Sequence, residues 1–150
     1  MANSTPETTL SQLWQALSHA PEEKPNIAKL KTLLHPKSTV YGSQVKGQQP
    51  VFSTMLGTEF IEAVNKPSST GFYECEIART VEEYDRFAHV YSIVETRSNK
   101  AQIAADFVGV NSIQLYRATD KWQILSMYYH IADPKLPLSL GDGQSGKCID

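Results

Sequence analysis

Residues 72 to 95 read FYECEIARTVEEYDRFAHVYSIVE, and this stretch decides the fold. Phe, Tyr, Val, Ile and Thr dominate it, and apolar side chains alternate with polar ones. That is the period of a strand with one face toward a core. Tyr84-Asp85 interrupts the alternation and supplies a two-residue turn, so the stretch reads as a β-hairpin. This turn pairs Val81 with Ala88, Arg79 with Val90, Ile77 with Ser92 and Cys75 with Val94 on one face. The opposite face carries Thr80 with His89, Ala78 with Tyr91, Glu76 with Ile93 and Glu74 with Glu95. The first face is the more apolar and is assigned to the core.

A second hairpin follows, Val110 to Arg117 and Trp122 to Ile131 around Ala-Thr-Asp-Lys. An unbroken ladder puts Trp122, Ile124, Ser126 and Tyr128 on one face with Leu115, Ile113 and Asn111, a second core-facing set. Upstream, Leu10, Leu13, Trp14 and Leu17 recur at helical spacing after Ser4-x-x-Glu7 and Pro6, which predicts a helix over about residues 7–19. Pro21 and Pro25 break it, and Ile27, Leu30, Leu33 and Leu34 resume a helical stripe that ends at His35-Pro36. Thr39 to Tyr41 reads as a short strand, Gly42 to Pro50 as a polar loop, and Thr58 to Val64 as a short helix capped by Thr58. The class is α+β: N-terminal helices closing over a strongly curved, mostly antiparallel sheet and leaving a pocket between them.

At 150 residues the chain has the size of one domain. The expected organisation is a tail over 1–6, a folded unit over 7–132 and a flexible Pro-, Gly- and Ser-rich tail over 133–150. Fourteen Lys and Arg against sixteen Asp and Glu give a formal charge of −2 with no basic stripe, which argues against nucleic acid as a partner. No run approaches the ~20 apolar residues that span a bilayer, and the first residues lack the pattern of a signal peptide, so a cytoplasmic address is expected. Cys75 and Cys148 form no framework and are expected to be free thiols. The sequon Asn3-Ser4-Thr5 matters only in a secreted chain.

The order of helix, bend, helix, short strand, short helix and two long hairpins resembles the cone-shaped fold of the nuclear transport factor 2-like superfamily. Leu-Leu-His-Pro-Lys-Ser at 33–38, Ala88-His-Val-Tyr-Ser92, Gly109-Val-Asn-Ser-Ile-Gln-Leu115 and Trp122-Gln-Ile-Leu-Ser126 are similar to phrases of its SnoaL-like branch. The resemblance spans nearly the whole domain and describes buried sheet positions, so it implies a fold and no activity. It also implies a homodimer through the outer sheet face, with His89, Tyr91 and Ile93 as interface candidates. The catalytic groups of enzymatic relatives are not matched. A scytalone dehydratase would need an inward His, where the register above puts Val90 and Ser92. A ketosteroid isomerase would need a carboxylate near the first short strand, where residues 38–43 read Ser-Thr-Val-Tyr-Gly-Ser.

A mostly apolar pocket needs a few convergent polar groups, and the candidates are Tyr41, Arg79, Ser92, Asn111, Ser126 and Tyr128. Asn111 and Tyr128, opposed in the assumed register, would bind a carbonyl or hydroxyl, or else satisfy each other. Arg79 would bind an anionic group, or pair with Glu82 or Asp85 at the rim. His89 would serve as a base, or pack at the interface. His130 and Asp133 lack the third ligand a metal needs, so no metal is expected, and no cofactor. Gly141-Asp-Gly143-Gln-Ser-Gly146 matches a dinucleotide fingerprint in letters but lacks its flanking strand and helix. Three readings remain open: a carrier of a small apolar or amphipathic molecule, a proton-transfer enzyme (isomerase, cyclase or dehydratase), and a structural dimer whose cone is filled by its own side chains.

Overall fold

A computed structural model describes residues 4–150. In chain order the elements are α1 (Pro6–Leu17), α2 (Ile27–Leu33), β1 (Leu34–Lys46), β2 (Gln49–Leu56), α3 (Gly57–Val64), β3 (Tyr73–Tyr84), β4 (Phe87–Arg97), β5 (Phe107–Arg117) and β6 (Trp122–Ile131). The six strands form one sheet in the order β2-β1-β6-β5-β4-β3, parallel only between β1 and β6. One face packs on the helices around Leu10, Leu13, Leu30, Val90, Ile113 and Ile124, so the α+β class expected from the sequence is the one observed.

The helices start where side chains satisfy their free N–H groups. Thr5 caps α1: its Oγ1 accepts from Thr8 N at 3.0 Å, while Thr8 Oγ1 accepts from Thr5 N at 3.0 Å. Ser4 is not the cap, because its Oγ accepts from Trp122 N at 3.2 Å and ties the N-terminal segment to β6. Of the expected 1–6 tail, residues 4–6 are therefore built in, and 1–3 lie outside the described residues. Asn26 caps α2 through Lys29 N at 3.1 Å. At α3, Glu59 Oε1 accepts from Leu56 N at 2.8 Å.

The polar loop expected over 42–50 is instead a hairpin. β1 runs on to Lys46, and Gly47 and Gln48 turn the chain with φ of 53° and 70°. β2 returns as an edge strand and is largely exposed.

Both long hairpins contain a bulge that the sequence reading did not include. In the first, the turn lies one residue later than expected, pairing Tyr84 with Phe87, Val81 with Val90 and Arg79 with Ser92. Between Glu76 and Ala78 the register shifts, so Ile77 and Ala78 share the outer face and Glu76 and Glu74 point inward, opposite Val94 and Thr96. In the second, Leu115 pairs with Ile124 as expected. The register then shifts, so that Gln114 faces Ser126, Ile113 faces Met127 and Asn111 faces Tyr129. Each bulge exchanges the two faces of the strand beyond it.

The segment after β6 is a strap. Leu138 and Leu140 pack on Cys75, Ile77 and Ile93, and Ile149 N donates to Glu76 O at 2.7 Å, satisfying a carbonyl of the sheet-edge strand β3. Cys148 is disulfide-bonded to Cys75, Cα to Cα 5.0 Å. The two cysteines are thus paired rather than free, and 133–150 is a fastened cover over the outer face rather than a flexible tail. Glu95 holds the strap, accepting from Ser145 Oγ at 2.5 Å and Gly146 N at 2.8 Å. Burial raises the pKa of Glu95, but those two bonds and Arg97 together hold it below the usual carboxylate value.

Candidate functional site

A cavity of about 780 Å³ lies between the helices and the inner face of the sheet. Trp14 and Leu17 of α1 and Phe60 and Val64 of α3 form one wall; Val94, Met127 and Tyr129 of the sheet form the other. The wall groups are apolar because they continue the core stripe of each element. Gly42, which pairs with Tyr129 across β1 and β6, makes room for that ring: a Cβ there would stand 2.4 Å from Tyr129 Cζ. His19 and Phe72 close one side, joined by a two-bond bridge of 2.8 and 2.9 Å. The exposed Lys66, Pro67 and Thr70 lie at one margin.

The central polar group is Glu74. The bulge turns it inward, and its carboxyl stands among apolar groups with one close partner, Thr96 Oγ1, which donates to Oε1 at 3.0 Å. Desolvation pushes its pKa up to about 7, with the Thr96 bond opposing the rise. Asn111 lines the same cavity. Its amide nitrogen donates to the carbonyls of Ser92 at 3.2 Å and Gly109 at 3.3 Å, which leaves Oδ1 free to accept. His19 Nδ1 lies 2.9 Å from the Ala20 carbonyl, so Nδ1 carries a proton and, in the neutral ring, Nε2 is an acceptor.

Of the six side chains expected in the pocket, only Asn111 lines it. Tyr41 and Tyr128 lie on the outer face, stacked at 6.3 Å, with Phe52 against Tyr41 at 6.1 Å. Ser43 Oγ there lies 2.6 Å from Tyr128 OH and 2.7 Å from His130 Nδ1. Ser126 is on the same face, donating to Gln114 Oε1 at 3.0 Å. The second bulge explains both displacements on β6: it carries Ser126 and Tyr128 outward and brings Met127 and Tyr129 in.

Arg79 and Ser92 point inward but are consumed by a buried network under α1. Arg79 pairs with Glu76 and donates to Ser11 Oγ at 2.9 Å, and Ser92 Oγ donates to Glu76 Oε2 at 2.6 Å. Neither the anion-binding nor the rim reading of Arg79 holds, because Glu76 is the carboxylate the first bulge delivers to it. On the outer face, His89 Nε2 lies 2.9 Å from Ser112 Oγ and Tyr91 is 45% exposed. Ile93 is only 1% exposed, covered by the chain's own strap, and is removed from the interface candidates. Among the described residues no cluster of three metal-ligating side chains occurs.

The residues missed were Glu74, Thr96, Tyr129 and His19. A signal existed in Ile77-Ala78 and Ile124-Leu125: two adjacent apolar residues break strict alternation, and in both places the ladder shifts.

No protein-family model matches the chain, and no curated protein matches its sequence. Solved structures do match in fold. A protein of unknown function with a cystatin-like fold from Nostoc punctiforme superposes with a TM-score of 0.61 at 13% identity, over 91% of this chain and 98% of that one. A nuclear transport factor 2-like protein of unknown function from Shewanella baltica gives 0.57 at 13% identity, over 85% and 90%. A protein from Parabacteroides distasonis, whose name carries ketosteroid isomerase as a provisional assignment, gives 0.58 at 12% identity, over 87% and 90%. The chain has the nuclear transport factor 2-like fold. No helix among the described residues is long and apolar enough to cross a membrane.

Proposed function

We propose that this chain is a small-molecule-binding domain of the SnoaL-like kind, taking an apolar or amphipathic molecule between α1, α3 and the inner sheet face. The observation that carries the reading is Glu74: one carboxyl, bonded to Thr96 and otherwise unpartnered, in an apolar cavity of about 780 Å³. A cavity of roughly 300–1,000 Å³ with few convergent polar groups is the usual form of a ligand site. Glu74 and Asn111 then orient the ligand, and the apolar walls supply most of the affinity.

The test is thermal. A ligand that binds only the folded state raises stability by RT ln(1 + [L]/Kd), about 2.7 kcal/mol at a hundredfold excess over Kd. A panel of small aromatic and alicyclic alcohols, ketones, acids and amines is expected to contain compounds that raise the melting temperature, with smaller shifts in Asn111→Leu. A panel that leaves the melting temperature unchanged contradicts the reading.

One observation favours a second reading, a proton-transfer enzyme. A carboxyl with a pKa of about 7 is matched to taking and returning a proton at neutral pH. Tyr41, Tyr128 and Arg79 have no part in this version, since none lines the cavity.

The homodimer is retained as a proposal on the outer sheet face. Exposed Tyr91, Phe52 and Tyr128 support it, with His89 beside them. The Cys75–Cys148 disulfide favours an oxidising compartment over the cytoplasm.

A further inference from the structure

Three of the polar groups that line the cavity present acceptor atoms to it. Glu74 Oε2, Asn111 Oδ1 and His19 Nε2 have no partner among the described residues, whereas the amide nitrogen of Asn111 and Nδ1 of His19 are bonded to backbone carbonyls. Tyr129 and the Gln44 amide can each donate or accept. Trp14 Nε1–H is an unpartnered donor of the wall, but the atom has essentially no accessible surface. The fixed positive charge of the lining is Lys66, at the exposed margin; the interior holds none.

We infer that the ligand is an amphipathic cation, a protonated amine carried on an apolar body, whose ammonium group donates to Glu74 Oε2. This rests on the pocket reading above and names the ligand class of that site. An anionic ligand would meet Glu74 and two further acceptors without a cation in the interior to offset them, and a like charge held beside a carboxylate is unfavourable. A neutral alcohol has one proton to donate; an ammonium has three and a charge that strengthens each bond. The titratable groups sharing the cavity with Glu74 are His19, from the end of α1, and Lys66, from the segment after α3. Binding of an ammonium drives the Glu74 carboxyl to its anion, so the amine complex releases a proton where free Glu74 is still protonated.

The probes are phenethylamine, phenethyl alcohol and hydrocinnamate, which share an apolar body and differ in the head group, titrated calorimetrically into the full chain. The amine is expected to bind at least about tenfold tighter than the alcohol, with hydrocinnamate weakest. At about pH 6, calorimetry in two buffers of different ionisation enthalpy is expected to show proton release for the amine and none for the alcohol. In Glu74→Gln the amine advantage and the proton release both disappear. The proton-release arm uses the wild-type chain and does not depend on that variant folding. Equal binding of amine and alcohol, or tightest binding of hydrocinnamate, overturns the inference and leaves the pocket reading standing. Failure of all three to bind overturns the amine inference, while the wider compound panel decides the pocket reading.

Discussion

Glu74 faces Thr96 across β3 and β4, with Thr96 Oγ1 donating to its carboxyl at 3.0 Å. Without the bulge at Ile77, Glu74 would point to the outer face. One extra residue in an edge strand thus converts a surface acid into the central polar group of an apolar cavity. Its cost appears in the pH dependence of stability. The folded-state pKa of about 7 lies above the ordinary 4.5, so the native chain holds a proton that the unfolded chain releases. Stability contributed by protonated Glu74 is full below about pH 4.5 and is lost as pH rises to about 7. Glu74→Gln removes this dependence. At about pH 8 it is expected to stabilise the protein by on the order of 2 kcal/mol, and at about pH 4 by little, measured by urea denaturation at both pH values.

Gly42→Ala drives a methyl group into the Tyr129 ring, which shifts toward the cavity. The expected cost is about 1–3 kcal/mol, with reduced occupancy of the cavity. The double variant Gly42→Ala/Tyr129→Ala is expected to be little worse than Tyr129→Ala alone, since the clash is gone. Chemical denaturation of all four chains measures this coupling.

Arg79→Met leaves Glu76 buried without its cation and is expected to cost about 3–5 kcal/mol. Changing the pair together, Glu76→Leu/Arg79→Met, is expected to recover much of the loss. Ser92 and Ser11 each lose one hydrogen-bond partner in the double variant. Melting curves of the wild type and the two variants separate the pair from its desolvation.

Reduction of Cys75–Cys148 opens a link spanning 73 residues and frees the strap, at an expected cost of about 2–4 kcal/mol. Dithiothreitol should lower the wild type to the level of Cys148→Ser and leave Cys148→Ser unchanged. Limited trypsin digestion is expected to cut at Lys135 and Lys147 in the reduced chain faster than in the oxidised one.

Tyr91→Asp is expected to convert a homodimer to a monomer in light scattering, because Tyr91 is exposed on the face proposed to carry the contact. A wild-type monomer, or a dimer that survives the change, removes that face from the interface.

The helices and the two long hairpins were legible because each buries a stripe at its own period: Leu10, Leu13, Trp14 and Leu17 in one case, Val90 to Val94 in another. The faces beyond the bulges were not. Cys75 and Ile77 are apolar and were read as inward, yet they point outward and are buried by Leu138 and Leu140 of the strap. Local alternation reports which residues are buried, and on a strand covered from both sides it does not say by what. The strap was missed because its composition is that of a loop, and what fastens it is a disulfide and bonds to Glu95. Asn111, expected to face inward, lines the cavity. Its central acid was legible only to a reading that broke the ladder at Ile77-Ala78.

Glu74 stands half-buried in that cavity, and its own titration is the most direct measurement. In protein labelled with carbon-13 at the glutamate carboxyls, the resonance lost in Glu74→Gln identifies the residue. A midpoint of about 7 is expected for that resonance. A midpoint near the ordinary 4.5 would place the carboxyl in water and contradict it.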